Sequence, residues 1–159
     1  MTLSAVFALI ICFVACFAAA ASGAVFRPGA WYKALKKPSW TPPNWMFPVV
    51  WSVLFTMMSV ACWLIWQADG IDAWPALTLF GLHLAVNAAW SALFFGQRRL
   101  DWAMVDVVIL WGMILALILV FSQISLVAGM LLVPYLIWVT IAASLNASLL
   151  HLNGRRGGN

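Results

Sequence analysis

The segment from Trp31 to Trp51, WYKALKKPSWTPPNWMFPVVW, sets Trp31, Trp40, Trp45 and Trp51 among Pro38, Pro42, Pro43 and Pro48 and beside Lys33, Lys36 and Lys37. Each indole offers a broad flat face and one N–H donor. The prolines fix backbone angles and withhold donors, so the segment is expected to be stiff. A stiff, cationic, indole-rich cover suits a large, flat, anionic ligand. Its rings would stack on indoles while Lys33, Lys36, Lys37 and the nearby Arg27 attract acidic groups at the surface. The alternative role for each tryptophan is anchoring at the membrane–water boundary, where Trp concentrates. Conventional catalysis is poorly provided for. The chain has no Glu, and its only aspartates are Asp69, Asp72, Asp101 and Asp106. No nucleophile–base pair, phosphate loop or metal cluster is visible in the spacing. Cys12 and Cys16 share a helical face at i, i+4, with Cys62 far along the chain; small apolar packing accounts for them, and no disulfide framework or metal site is expected. His83 reads as an interior histidine or, alternatively, as a haem ligand.

These residues must be positioned by helices. The chain is 66% hydrophobic and only 8% charged, with a mean hydropathy of +1.04. A soluble domain carries about 25% charged residues. The fold class is therefore all-α, an integral membrane five-helix bundle forming one transmembrane domain over residues 1–159. About 20 apolar residues cross the hydrocarbon core. The expected spans are 3–26, 46–66, 74–96, 102–121 and 125–152, with a tryptophan-rich loop at 27–45 and a flexible tail at 153–159. The first span lacks a basic residue before its apolar run and is too long for a signal core, so it is expected to be a mature helix. With five spans, Arg27, Lys33, Lys36, Lys37, Arg98, Arg99, Arg155 and Arg156 all fall on one side of the membrane. Basic loops stay cytoplasmic in ordinary insertion, which puts the N-terminus on the opposite side.

Polar residues inside spans usually face the bundle interior or a cavity. Asn87, Asp106 and Asn146 all fall in the half of the membrane on the basic side, the half that the tryptophan loop covers. They either hydrogen-bond between helices or face a ligand. Trp102, Val105, Asp106 and Ile109 follow i, i+3, i+4, i+7 spacing on the fourth span. Trp138, Ala142 and Leu145 do so on the fifth, bordered by Tyr135, while His83, Asn87 and Trp90 line one face of the third. Gly81, Ala85 and Ala89 form a small-residue stripe that suits either close packing within the bundle or a homodimer; a similar stripe, Ala15–Ala19–Gly23, is expected to pack internally. Pro134 is expected to kink the fifth span.

Four patches carry a family resemblance: WYKALKKPSWTPPNWMFPVVW at 31–51, AVNAAWSALFFG at 85–96, DWAMVDVVILWG at 101–112 and PYLIWVTIAASLN at 134–146. Together they resemble the translocator protein family, also called tryptophan-rich sensory proteins or peripheral benzodiazepine receptors. The resemblance implies a usually dimeric five-helix bundle that binds tetrapyrroles such as protoporphyrin and haem, hydrophobic drug-like molecules and, in some members, cholesterol. It implies a pocket beneath the first loop, lined here by Ala21, Ala24, Phe47, Trp51, Trp102, Val105, Ile109, Trp138, Ala142 and Leu145. Trp51 and Trp138 match tryptophans linked in the family to light-dependent porphyrin breakdown, which makes them the candidate catalytic residues. Ala147 stands where members with a strong cholesterol motif carry tyrosine, so only weak sterol binding is implied. The expected function is a membrane receptor or regulator that binds tetrapyrroles; the alternatives are a tetrapyrrole transporter and a dimeric scaffold for other proteins. Any turnover would draw on excited porphyrin, oxygen and tryptophan rather than acid–base catalysis. No intrinsic cofactor, metal or nucleic-acid partner is expected; porphyrin or haem would be a ligand. The membrane is expected to be a bacterial envelope membrane or one like the mitochondrial outer membrane.

Overall fold

The structure, a computed structural model, describes residues 3–26 and 28–155. Helices account for almost all of it: α1 (Leu3–Val25), α2 (Ala30–Ala34), α3 (Met46–Asp69), α4 (Trp74–Ser91), α5 (Leu100–Ile124), α6 (Leu126–Leu131) and α7 (Val133–Asn153). The continuous apolar stretch Met46–Gly96 has 51 residues. As one helix it would run about 77 Å, more than twice the ~30 Å hydrocarbon core. Instead the chain breaks at Gly70, whose φ of 56° is open to glycine at little cost, and turns through Gly70–Ala73 into α4. The protein is thus an integral membrane helical bundle with five long helices, α1, α3, α4, α5 and α7.

The helices close into a ring. α1 packs on α3 and α4, α4 on α5, α5 on α6 and α7, and α6 back on α3. The face that α1 buries is Ala5, Ala8, Cys12, Cys16 and Ala19, small residues at helical spacing that let its neighbours approach closely. The expected Ala15–Ala19–Gly23 stripe departs from this line, because Ala15 and Gly23 are exposed. Cys12 and Cys62 meet in the contact of α1 with α3, with Cys12 Sγ 2.6 Å from Cys62 Sγ.

The fifth span, Leu126–Asn153, is interrupted at Leu132, beside the Pro134 expected to kink it, and so divides into α6 and α7. Pro134 cannot donate a hydrogen bond and tolerates only the first turn of a helix. α6 accordingly ends at Leu131, the Leu132 N–H bonds to Gly129 O at 3.1 Å, and α7 restarts with Pro134 in its first turn. The third span also ends irregularly, in a π-helical turn at Ala92–Gly96. Arg98, with φ 56°, then reverses the chain into α5.

The basic groups collect at one end. Leu100 N–H bonds to Arg155 O at 3.0 Å, and Lys36 is held to Asn153, so the loops carrying Lys33, Lys36, Lys37, Arg98, Arg99 and Arg155 are neighbours. Arg99 pairs with Asp101 at 2.7 Å, and that hydrogen-bonded carboxylate holds the guanidinium above its ordinary pKa. Arg27 and Arg156 lie outside the described residues.

Candidate ligand-binding site

At the basic end a second core cluster sits below the first loop: Tyr32, Leu35, Phe94, Leu100, Ala103, Leu145 and Leu149. The lid over it is the short helix α2 and the chain that follows. Tyr32 and Leu35, three residues apart, point inward together as helical spacing dictates, and both are buried. The Tyr32 ring meets Phe95 at 5.6 Å and Phe94 at 6.1 Å between centroids. Lys37 Nζ sits 4.7 Å from the same ring and bonds the Lys33 and Leu35 carbonyls. Burial beneath this cover pushes the Tyr32 phenol pKa up. Two hydrogen bonds pin the lid to the end of α7: Lys36 N–H to Asn153 Oδ1 at 2.8 Å, and Asn153 Nδ2 to Lys36 O at 2.9 Å.

Under the lid is a cavity of about 20 Å³ lined by Tyr32, Phe47, Trp90, Phe94, Phe95, Ala142, Leu145 and Asn146. Its walls are aromatic. Trp90 stacks on Phe94 at 4.8 Å, and Phe47 meets Trp138 edge-on at 5.6 Å. Among the described residues, four buried side-chain atoms have no hydrogen-bond partner, all in this half of the bundle: Trp90 Nε1, Trp138 Nε1, Asn146 Oδ1 and Asp106 Oδ2. Native interiors leave few such atoms, because each costs about 1–3 kcal/mol. Asn146 is only half used, since its Nδ2 reaches Leu100 O at 3.3 Å.

The expected site residues divide by placement. Phe47, Trp90, Ala142, Leu145 and Asn146 line the cavity. Trp138 and Asp106 are buried, and Trp51, half-buried on α3 one turn above Phe47, stacks on Phe55 at 5.4 Å and meets Tyr135 at 6.0 Å. Asn87 and Tyr135 bond to each other, Asn87 Nδ2 donating to the Tyr135 hydroxyl at 2.6 Å. Ala21 and Ala24 are exposed on α1. Trp102, Val105 and Ile109 are each more than half exposed, so of that α5 face only Asp106 turns inward. Lys33 and Lys36 are exposed at the rim beside the engaged Lys37, while Arg27 lies outside the described residues. Gly81 and Ala85 are exposed and Ala89 is half-buried, which sets the small-residue stripe on the outer surface of the ring.

In the first loop, Trp40 and Trp45 are exposed rather than turned to the cavity. The lid residue is Tyr32, which sequence reasoning passed over, as it did Phe94 and Phe95. The signals were present: Tyr32 and Leu35 are the apolar pair of a cationic helical turn, and Phe94–Phe95 close the third span at the basic end.

Comparison with known proteins agrees with this architecture. The model of the TspO/MBR family matches residues 7–152. The chain is 44% identical over 146 residues to Protein CrtK of Rhodobacter capsulatus, covering 89% of each chain. It is 40% identical over 142 residues to a tryptophan-rich sensory protein of Cereibacter sphaeroides, again covering 89% of each. With the translocator protein of Homo sapiens the identity is 39% over 132 residues, covering 80% of this chain and 78% of the other. A match through all five long helices, over both the lid and the aromatic cavity, places this chain in the TspO/MBR family.

Proposed function

We propose that this protein is a membrane receptor or regulator that binds tetrapyrroles, protoporphyrin and haem among them, beneath the α2 lid. The observation that carries this reading is the pairing of aromatic walls with unpartnered polar atoms. Trp90, Phe94, Phe47 and Trp138 offer ring faces and edges. Two indole N–H donors and two oxygen acceptors are buried and unspent. A flat macrocycle bearing carboxyl groups has acceptors for the indoles and, where a carboxyl is protonated, a donor for the oxygens, and exposed Lys33 and Lys36 favour its acidic edge. Pockets for drug-sized molecules measure about 300–1,000 Å³, far above the 20 Å³ present. Binding therefore requires the lid to lift and the Tyr32 ring to leave Phe94 and Phe95.

The basic end is proposed to face the cytosol-like side, following the usual charge rule. A homodimer through Gly81, Ala85 and Ala89 is proposed on the ground that this stripe lies on the ring's outer surface, where small residues let two helices approach. Light-dependent breakdown of bound porphyrin is proposed to involve Trp51 and Trp138. The test is titration of the purified protein with protoporphyrin, followed by tryptophan fluorescence, in parallel with Trp90→Phe, Trp138→Phe and Asn146→Leu. Saturable quenching that weakens in the variants supports the site. Non-saturable quenching, equal in all four proteins, means that the pigment merely partitions into detergent and removes the reading.

A further inference from the structure

Tyr135 is buried to 1% exposure on α7 and receives two polar side chains from α4. His83 Nδ1 lies 3.0 Å from Phe80 O, and His83 Nε2 lies 3.1 Å from the Tyr135 hydroxyl. A carbonyl only accepts, so the hydrogen sits on Nδ1 and Nε2 is left with its lone pair. Asn87 Nδ2 already donates to the phenol oxygen at 2.6 Å, so the phenol's own hydrogen points to His83 Nε2. The result is a phenol hydrogen-bonded to a neutral imidazole, both of them buried. On its other side the Tyr135 ring meets Trp51 edge-on, centroids 6.0 Å apart. Holding α4 to α7 would need only one hydrogen bond. It does not explain why the acceptor is a base, or why the ring abuts an indole one helical turn from the cavity-lining Phe47.

We propose that Tyr135 and His83 form a relay that removes the oxidising equivalent from Trp51. The inference rests on the tetrapyrrole reading, because the primary oxidant is a photoexcited macrocycle of that class docked near Trp51. One electron passes from Trp51 to the macrocycle, leaving an indole radical cation and a macrocycle radical anion. One electron then passes from Tyr135 to Trp51, restoring the indole, while the phenol O–H bond breaks and its proton moves to His83 Nε2. The net products are the macrocycle radical anion, a neutral phenoxyl radical at Tyr135 and an imidazolium at His83. Oxidising a phenol without losing its proton is strongly unfavourable, so the imidazole is what makes Tyr135 a competent donor. Tyr135 and His83 are relay residues, and Trp51, one helical turn from the cavity-lining Phe47, is the group the oxidant must reach.

The test separates the relay from the ligand. The chain has two tyrosines, Tyr32 and Tyr135; Tyr32→Phe leaves Tyr135 as the sole phenol. Azide radicals generated by pulse radiolysis, with no porphyrin present, oxidise accessible indoles, and transient absorption distinguishes indolyl from phenoxyl radicals. The expected result is phenoxyl growing in as indolyl decays, lost on adding Trp51→Phe or Tyr135→Phe, and slowed by adding His83→Gln. The glutamine keeps a hydrogen-bond acceptor but cannot take the proton. The same step is expected to slow in heavy water. Absence of phenoxyl in the Tyr32→Phe protein, or a phenoxyl signal indifferent to both Trp51→Phe and His83→Gln, overturns the relay whatever porphyrin does. If the relay appears with azide radicals but illumination of porphyrin-loaded wild-type protein yields no phenoxyl, the relay stands and the docking of the macrocycle against Trp51 is what fails.

Discussion

Asn153→Ala is expected to speed ligand entry. Asn153 is the link between α7 and the lid, through one bond accepted from Lys36 N–H at 2.8 Å and one donated to Lys36 O at 2.9 Å. Both lie at the exposed surface, where water replaces a lost partner, so each is worth the lower part of the usual 0.5–1.5 kcal/mol range, or about 1–2 kcal/mol for the pair. At 1.4 kcal/mol per factor of ten, the substitution raises the open fraction of the lid roughly 5–30-fold. The Asn153 bond to Leu149 O at 2.9 Å is within α7 and does not enter the lid equilibrium. Because the closed cavity is far too small for a macrocycle, apparent affinity is reduced by the fraction of open protein. Stopped-flow quenching of tryptophan fluorescence by protoporphyrin should show an association rate higher by that factor. If the lid stays lifted in the complex, the dissociation constant falls by the same factor. If the lid recloses and remakes both bonds, association and dissociation accelerate together and the constant is unchanged. A variant with unaltered association rate would show that ligand enters by another route, such as laterally between helices, and the gating role of α2 would be wrong.

Asn146→Leu should leave the stability of the free protein unchanged or slightly higher, since it removes a buried unpaired oxygen along with only a 3.3 Å bond to Leu100 O. It should weaken porphyrin binding by up to about tenfold, the worth of one hydrogen bond; both are read by thermal unfolding and titration of one sample. Tyr135→Phe strips the hydroxyl from His83 and Asn87. Soluble-protein values would make this about 1–3 kcal/mol for each stranded group, but hydrogen bonds between membrane helices average about 0.6 kcal/mol. The membrane value governs, so the expected loss is about 1–2 kcal/mol in a denaturant titration in mixed micelles. Gly129→Ala should be destabilising by about 1–3 kcal/mol, because the new methyl group would run into Ser122 Oγ and lie 3.0 Å from the Ile118 carbonyl oxygen. Adding Ser122→Ala should recover part of that loss but not all, since the carbonyl remains.

The bundle was legible in the sequence because its signals are one-dimensional. Hydrophobic length marks the helices, and the clustering of lysine and arginine in three regions marks one end. Even the break in the fifth span was signalled by Pro134. Facing was harder to read. In a soluble helix the polar side identifies the surface, but a lipid-facing surface is as apolar as the core. The spacing of Trp102, Val105, Asp106 and Ile109 therefore gave no sign that Asp106 alone turns inward while the other three are more than half exposed. The small-residue stripes were ambiguous for the same reason. Glycine and alanine mark close approach but not whether the approaching helix belongs to this chain.

In the first loop the strongest signal divides: Trp31 meets the cavity-lining Phe94, while Trp40 and Trp45 face outward. Its tryptophans and prolines dominate the sequence, yet Trp40 and Trp45 are exposed, and Tyr32 is what closes the cavity. Physical size explains the choice. A tyrosine is slim enough to lie against both Phe94 and Phe95, and Lys37 covers its outer side. Exposed indoles of this kind suit the membrane boundary. Two jobs that the sequence merges into one aromatic run are thus separated in space. Trp40 and Trp45 lie on the outside of the loop, while Tyr32 is buried against the cavity.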